Sequence, residues 1–177
     1  MKVVIVAMGR SGGYQLGEWI SLELNHTYYH EPFISGENVT EENRVVKYLL
    51  DEWVRIDTKP EYDILIGLVR EDSRECTISH IKSNELGNFR IRYNVTDDWL
   101  EMNEASIQSL SLIMDVWRNE IKALSLDTIV TYEEIYNKGK TKHICELLGI
   151  HTPKYLHLLD SSNRLRKTKY GKQKPLI

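Results

Sequence analysis

Apolar positions along the chain fall into two patterns that alternate: short β-branched runs and longer stretches with three- and four-residue steps. Val3-Val4-Ile5-Val6-Ala7 is a continuous run of the kind found in a strand buried on both faces. It stops at Gly9-Arg10-Ser11-Gly12-Gly13, where three glycines fall within five residues, and Leu16, Trp19, Ile20 and Leu24 then mark one side of a helix. Strand, glycine loop and helix in immediate succession are the opening of a nucleotide-binding α/β unit. Val45–Leu50 predicts a second strand, and Ile64–Val69 a stronger third one that ends at Arg70. Between the first helix and the second strand, His26–Asn43 is polar and holds His30-Glu31-Pro32-Phe33. Pro32 biases Glu31 towards extended backbone, which predicts loop or strand end there.

The second half continues the alternation. Thr77–Leu86 carries a weak helical pattern. From Asn103 to Leu126, Ile107, Leu110, Ile113, Met114, Trp117, Ile121 and Leu124 recur at helical steps and predict a long amphipathic helix. Asp127–Thr131 reads as a short strand followed by Tyr132-Glu133-Glu134-Ile135, and Thr141–Leu148 as a helix with Gly149 at its C-terminal cap. Trp99, Trp117 and Met114 are expected in the core. Strands alternating with helices predict an α/β fold with a mainly parallel central sheet flanked by helices. Ligands in such folds bind beyond the C-terminal ends of the strands, where Gly9–Gln15, Glu31 and Arg70 are all expected to converge.

Composition narrows the function classes. The 177 residues, 41% hydrophobic and 28% charged, fit one soluble domain spanning 1–177 and exclude collagen-like or largely disordered readings. Lys and Arg number 23 against 26 Asp and Glu, a net charge of −3, so no global positive field recruits nucleic acid. Cys76 and Cys145 form no zinc spacing and no disulfide framework, and two reduced, packed thiols are expected. No signal peptide or membrane-spanning run is present, which points to a cytoplasmic protein with no membrane partner. From about residue 163 the tail is basic, through Arg164, Arg166, Lys167, Lys169, Lys172 and Lys174. It is either a cover for a bound anion or a solvated end.

A glycine loop that opens a helix presents backbone N–H groups at the positive end of the helix dipole, which suits phosphate or sulfate. Arg10 adds a bidentate cation and Ser11 a hydroxyl donor. The plain alternative is a tight strand–helix turn with no ligand. A Walker A motif would place Lys and Ser or Thr after the last glycine to reach phosphates and Mg²⁺, but Gly13 is followed by Tyr14-Gln15. An ATP- or GTP-hydrolysing machine is therefore disfavoured.

The loop with its flanking strand and helix resembles the 5′-phosphosulfate loop of sulfotransferases that use 3′-phosphoadenosine 5′-phosphosulfate (PAPS). Arg10, Ser11 and Gly12 match it, whereas Gly13 and Tyr14 replace the usual hydroxyl residues. His30-Glu31-Pro32-Phe33 is similar to the Glu-Pro-Phe/Leu step of carbohydrate sulfotransferases. Leu68–Ser79 resembles the 3′-phosphate segment, although Arg70 and Ser79 stand nine apart, one more than the family's usual spacing, and the usual Pro after Arg-Asp is missing. Thr131–Ile135 and Leu147–Ile150 look like the family's late Tyr-Glu-Asp-Leu and Phe-Leu-Gly pair. The four segments occur in the family's order.

The resemblance implies a P-loop-type three-layer domain. It also implies transfer of a sulfuryl group from PAPS to a hydroxyl or amine of a small-molecule or carbohydrate acceptor, leaving 3′,5′-ADP, with no metal. It assigns PAPS binding to Arg10, Ser11, Gly12, Gly13, Tyr14, Gln15, Arg70 and Ser79. Arg10 also stabilises the leaving phosphate, and Glu31 is the implied base with His30 as its alternative. The plain reading of Glu31 and His30 is a loop carboxylate and imidazole that position backbone, and His80 is read as a solvent-facing helix residue. Two other classes stay open: a related nucleotide or phosphate-ester kinase, and a non-catalytic adenylate-binding remnant.

Overall fold

The computed structural model describes residues 1–87 and 95–160, so the basic tail lies outside the described residues. β1 (Lys2–Ala7) is the central strand of a parallel sheet completed by β2 (Thr27–His30), β3 (Arg44–Leu49), β4 (Ile64–Val69) and β5 (Thr128–Thr131), in the order β2-β3-β1-β4-β5. The β-branched run of β1 alternates between the two faces, as strand geometry requires. Val3, Ile5 and Ala7 pack with Leu16, Trp19 and Ile20 of α1 (Gly13–Leu24) and Ile144 and Leu148 of α6 (Lys142–Leu148). Val4, Val6 and Met8 face the opposite layer, with Trp53 of α3 (Leu50–Arg55), Cys76 of α4 (Ser73–Glu85) and Met114 and Ile121 of α5 (Asp97–Lys122). The result is the expected α/β architecture, a mainly parallel sheet between two helical layers.

Tertiary pairing decides several elements that local pattern missed. The segment expected to be loop or strand end contains β2, an edge strand held by its ladder to β3, and the short α2 (Pro32–Ser35). Glu31, expected to be extended, takes a left-handed conformation (φ 53°, ψ 55°) as the cap residue before Pro32. Its N–H donates to Lys47 O at 2.8 Å, which ends the ladder, and the chain then reverses into α2. Glu52 anchors that reversal: buried in α3, it accepts from Leu49 N at 2.7 Å and Ile34 N at 3.2 Å.

Helix ends follow capping chemistry more than hydrophobic period. α4 starts at Ser73 because the Asp72 carboxylate accepts from Glu75 N at 2.8 Å, and α5 starts at Asp97 because Thr96 Oγ1 accepts from Trp99 N at 3.3 Å. Of the expected α5 stripe, Ile107, Met114 and Ile121 are buried, whereas Ile113 is 44% exposed. Trp99 is buried with Ile107 and Ile78, and Trp117 packs at the edge of the core. Residues Glu133–Asn137, after β5, form a π-helical turn. Gly149 closes α6 in the left-handed conformation expected of a cap glycine. Cys76 and Cys145 are buried free thiols.

Lys47 is the exception in the apolar run of β3. It points to the α1 side of the sheet, is 4% exposed, and its stem fills the space a side chain at Gly13 would need: a Cβ there would lie 2.9 Å from Lys47 Cε. Burial pushes the ammonium below the ordinary lysine range, and the Glu31 carboxylate partly offsets that push. One turn along the same helix face, a Cβ on Gly17 would clash with the Tyr28 ring, 2.6 Å from Cζ. Gly13 and Gly17 therefore let α1 settle onto the two side chains.

Gly17→Ala gains roughly 1 kcal/mol of helix propensity but overpacks Tyr28, at a cost of roughly 1–3 kcal/mol; a net fall in urea midpoint is expected, and a rise would show that α1 does not bear on Tyr28. An ammonium held below its unfolded value contributes stability above that value and loses it as pH falls through the folded value. Wild-type stability relative to Lys47→Met should therefore rise as pH climbs towards the ordinary lysine value of about 10. A difference that stays flat would mean that Lys47 is hydrated.

Candidate active site

The loop after β1 is built by a clamp from the far end of the chain. Tyr136, in the π-helical turn, donates its hydroxyl to Gly12 O at 2.6 Å, and its Cζ lies 2.8 Å from where a Gly12 Cβ would stand. Gly12 takes φ 85°, so a side chain there is excluded by both conformation and space. Arg10, with φ 62°, is held in the left-handed region without being glycine, a strain of about 1–3 kcal/mol that the surrounding contacts must offset. Ser11 is fully buried, and its hydroxyl, expected to serve a ligand, donates to Met8 O at 2.6 Å. α1 begins at Gly13 with no side-chain cap, and the N–H groups of a helix's first turn lie outside its own ladder.

On the β4 side of the loop, cations gather. Arg10 Nε donates to Ser79 Oγ at 3.1 Å, so α4 brings the displaced serine to the loop despite its longer spacing from Arg70. The Arg70 guanidinium lies 4.5 Å from the centre of the Tyr132 ring, and its Nη2 is 3.8 Å from Glu75 Oε2. Arg70 Nε is buried with no hydrogen-bond partner among the described residues. An orphaned donor of this kind costs about 1–3 kcal/mol, and an anion would satisfy it. Between the arginines lies Cys76, whose Sγ donates to Gly9 O at 3.2 Å. Burial pushes its thiol up to about 11 while Arg70 and Arg10 pull the other way, so it is a packed thiol and no nucleophile. His80 is half-buried rather than solvent-facing. Burial first and Arg10 second press its imidazole below the ordinary histidine range.

On the β2–β3 side stands a carboxylate. Glu31, at the end of β2, directs Oε1 to the Lys47 ammonium and lies 3.4 Å from His30 Nε2. Its Oε2 has no hydrogen-bond partner among the described residues. His30 Nδ1 is 3.0 Å from Tyr28 Oη, and the Tyr14 ring meets His30 and Tyr28 edge-on at 5.0 and 5.7 Å. Tyr14 thus lies on the acidic flank, while Gln15 is half-buried on the first turn of α1.

Every expected site residue therefore lies at the C-terminal edge of the sheet, around the loop that follows β1. Arg10, Arg70 and Ser79 are on one flank, Glu31, His30 and Tyr14 on the other. The sequence reading missed Lys47, Tyr28, Tyr132 and Tyr136. A signal for Lys47 existed, since a lysine inside the apolar run Val45–Leu50 must find a buried carboxylate or remain a costly charge. The tyrosines carry no such mark, because their roles depend on contacts across the fold. Among the described residues no cluster of His, Cys, Asp and Glu could hold a metal ion, and no helix is long and apolar enough to cross a membrane.

No protein-family model matches the chain, and no curated protein does. Among solved structures, the chain is similar to mouse sulfotransferase SULT7A1 complexed with PAP, with a TM-score of 0.56 and 17% identity over 99% of this chain and 67% of that one. At that identity the likeness concerns the fold alone: the chain has a sulfotransferase-like fold.

Proposed function

We propose that the protein is a sulfotransferase that binds PAPS across the β1 loop and moves its sulfuryl group to a hydroxyl or amine of a small-molecule or carbohydrate acceptor, leaving 3′,5′-ADP. The observation that carries this reading is the division of the site about β1. Arg10, Arg70 and Ser79 gather on the β4 side, and the open Glu31 Oε2 stands on the β2–β3 side.

The residues present fit such a donor. The uncapped first turn of α1 and Arg10 suit its 5′-phosphate, and Arg70, with the orphaned Nε, and Ser79 suit its 3′-phosphate. The bound donor supplies an electrophilic sulfur: its bond to the 5′-phosphate oxygen breaks with the electron pair as the acceptor bond to sulfur forms. Arg10 and the helix N-terminus stabilise the charge that grows on that phosphate. Glu31 takes the acceptor proton on Oε2, a step worth about 10²–10⁴-fold in such reactions. Lys47 passes beneath Gly13 and grips Oε1, so it ties the carboxylate to the loop that carries the leaving group. A kinase reading has less support, because Tyr14 and Gln15 occupy the places of the phosphate-binding Lys and Mg²⁺-binding Ser or Thr.

Calorimetric titration should show 3′,5′-ADP binding about 10-fold or more tighter than 5′-AMP or ATP, a margin of roughly 1.4 kcal/mol. Arg70→Met should weaken 3′,5′-ADP by roughly 1.5–3 kcal/mol and leave 5′-AMP nearly unchanged. Equal or tighter binding of Mg²⁺-ATP would favour the kinase. In an acceptor screen with PAPS, Glu31→Gln should lower turnover by about 10²–10⁴-fold with 3′,5′-ADP affinity retained. Unchanged turnover would remove Glu31 from the mechanism, and nucleotide binding without any sulfated product would identify a non-catalytic adenylate-binding protein.

A further inference from the structure

We propose that His30 is a positioning residue that holds Glu31 through a single imidazole tautomer set by Tyr28, and that it is not itself the proton acceptor; this rests on the reading of Glu31 as the base. The Tyr28 phenol decides which tautomer forms. Its ring is packed against Gly17, and its hydroxyl has one partner among the described residues, His30 Nδ1 at 3.0 Å. Burial pushes the phenol far above its ordinary range, so the hydroxyl keeps its proton at any physiological pH. If Nδ1 also carried a hydrogen, the buried phenolic hydrogen would face no acceptor, an arrangement that native structures avoid. Tyr28 therefore donates, Nδ1 accepts, and the ring hydrogen resides on Nε2. Nε2 is the nitrogen that faces Glu31 Oε1, at 3.4 Å.

Two consequences follow. With Nδ1 occupied by the phenol and Nε2 protonated, the neutral ring has no lone pair left for an acceptor proton. Lys47 and His30 both address Oε1, which leaves Oε2 as the oxygen available to the acceptor. Tyr14 holds the imidazole from the side, edge-on at 5.0 Å, from the position directly after Gly13 in the loop. The orientation of the carboxylate is thus coupled to the start of α1 through packing, and a displacement of about 1 Å at a reacting group costs on the order of 10²-fold in rate.

The test uses the whole chain. Nitrogen-15 spectra of the neutral His30 imidazole should report the Nε2–H tautomer, and Tyr28→Phe should shift the ring towards a mixture. A carbon-13 titration of the Glu31 carboxyl should be little altered in His30→Gln, whose amide nitrogen stands where Nε2 was. It should move in His30→Asn, whose amide stands at the Nδ1 place, and in Tyr28→Phe. In turnover, His30→Gln should stay within about 10-fold of wild type while His30→Asn falls on the order of 10²-fold, with 3′,5′-ADP affinity equal in both. An Nδ1–H tautomer, a spectrum indifferent to Tyr28→Phe, or Gln as inactive as Asn would overturn the proposal, the last because it would make His30 the base. If the wild-type protein transfers no sulfuryl group, the reading of the site as a sulfotransferase fails, while the tautomer and the Glu31 titration still decide whether His30 positions the carboxylate.

Discussion

The pairing of Lys47 with Glu31 beneath the start of α1 is the constraint on which the acidic half of the site depends. A lysine in the middle of β3 cannot reach water, and an ammonium taken out of water needs a charged partner with good geometry. Glu31 supplies it from the end of β2, and the neighbouring backbone bears the consequences. The chain leaves the ladder at Glu31 in a left-handed conformation, Pro32 opens α2, and Gly13 stays without a side chain because the lysine stem already fills that space. One buried charge thus connects the edge of the sheet, the entry to α2 and the approach of α1.

The basic half depends on a different kind of contact. Tyr132 and Tyr136 follow β5, the edge strand beyond β4, with their rings 4.8 Å apart. Tyr132 lies against the Arg70 guanidinium, and Tyr136 holds the carbonyl of Gly12. Glu133, in the π-helical turn, also accepts from Glu71 N and Asp72 N at 3.1 and 3.2 Å and so fixes the segment that carries Arg70 into α4. A π-turn inserts an extra residue into the helical ladder, and such insertions are frequent at functional sites. Here the turn and the residue before it place Tyr132, Glu133 and Tyr136 on the loops that follow β1 and β4.

The two halves meet at β1 because of strand order. With β3 on one side of β1 and β4 on the other, the loop after β1 has a carboxylate on one flank and guanidinium groups on the other. Strain agrees with this placement. Arg10 and Glu31 are two of the three non-glycine residues with positive φ among the described residues, and each is a charged side chain of its own flank.

Residues whose partners are close in sequence, or whose pattern repeats along an element, were legible from the chain by itself. That covers β1, the glycine loop with Arg10, the long helix and the cap at Gly149, whereas Glu31, His30, Arg70 and Ser79 took their roles from the family resemblance of their segments. Strand β2 and the left-handed Glu31 were hidden, since an edge strand of four residues carries little period and exists through its ladder to β3. The start of α5 was hidden behind a hydrophobic pattern that Thr96 and its cap precede. Local periodicity and loop composition thus determined the α/β class and the anion-suited glycine loop. Only tertiary structure decided that Lys47 would be buried against Glu31, that Ser79 would reach Arg10, and that Tyr136 would close on Gly12 across 124 residues of chain. The physical reason is that a side chain's partner across a sheet is set by strand order and packing, neither of which is written in its neighbours.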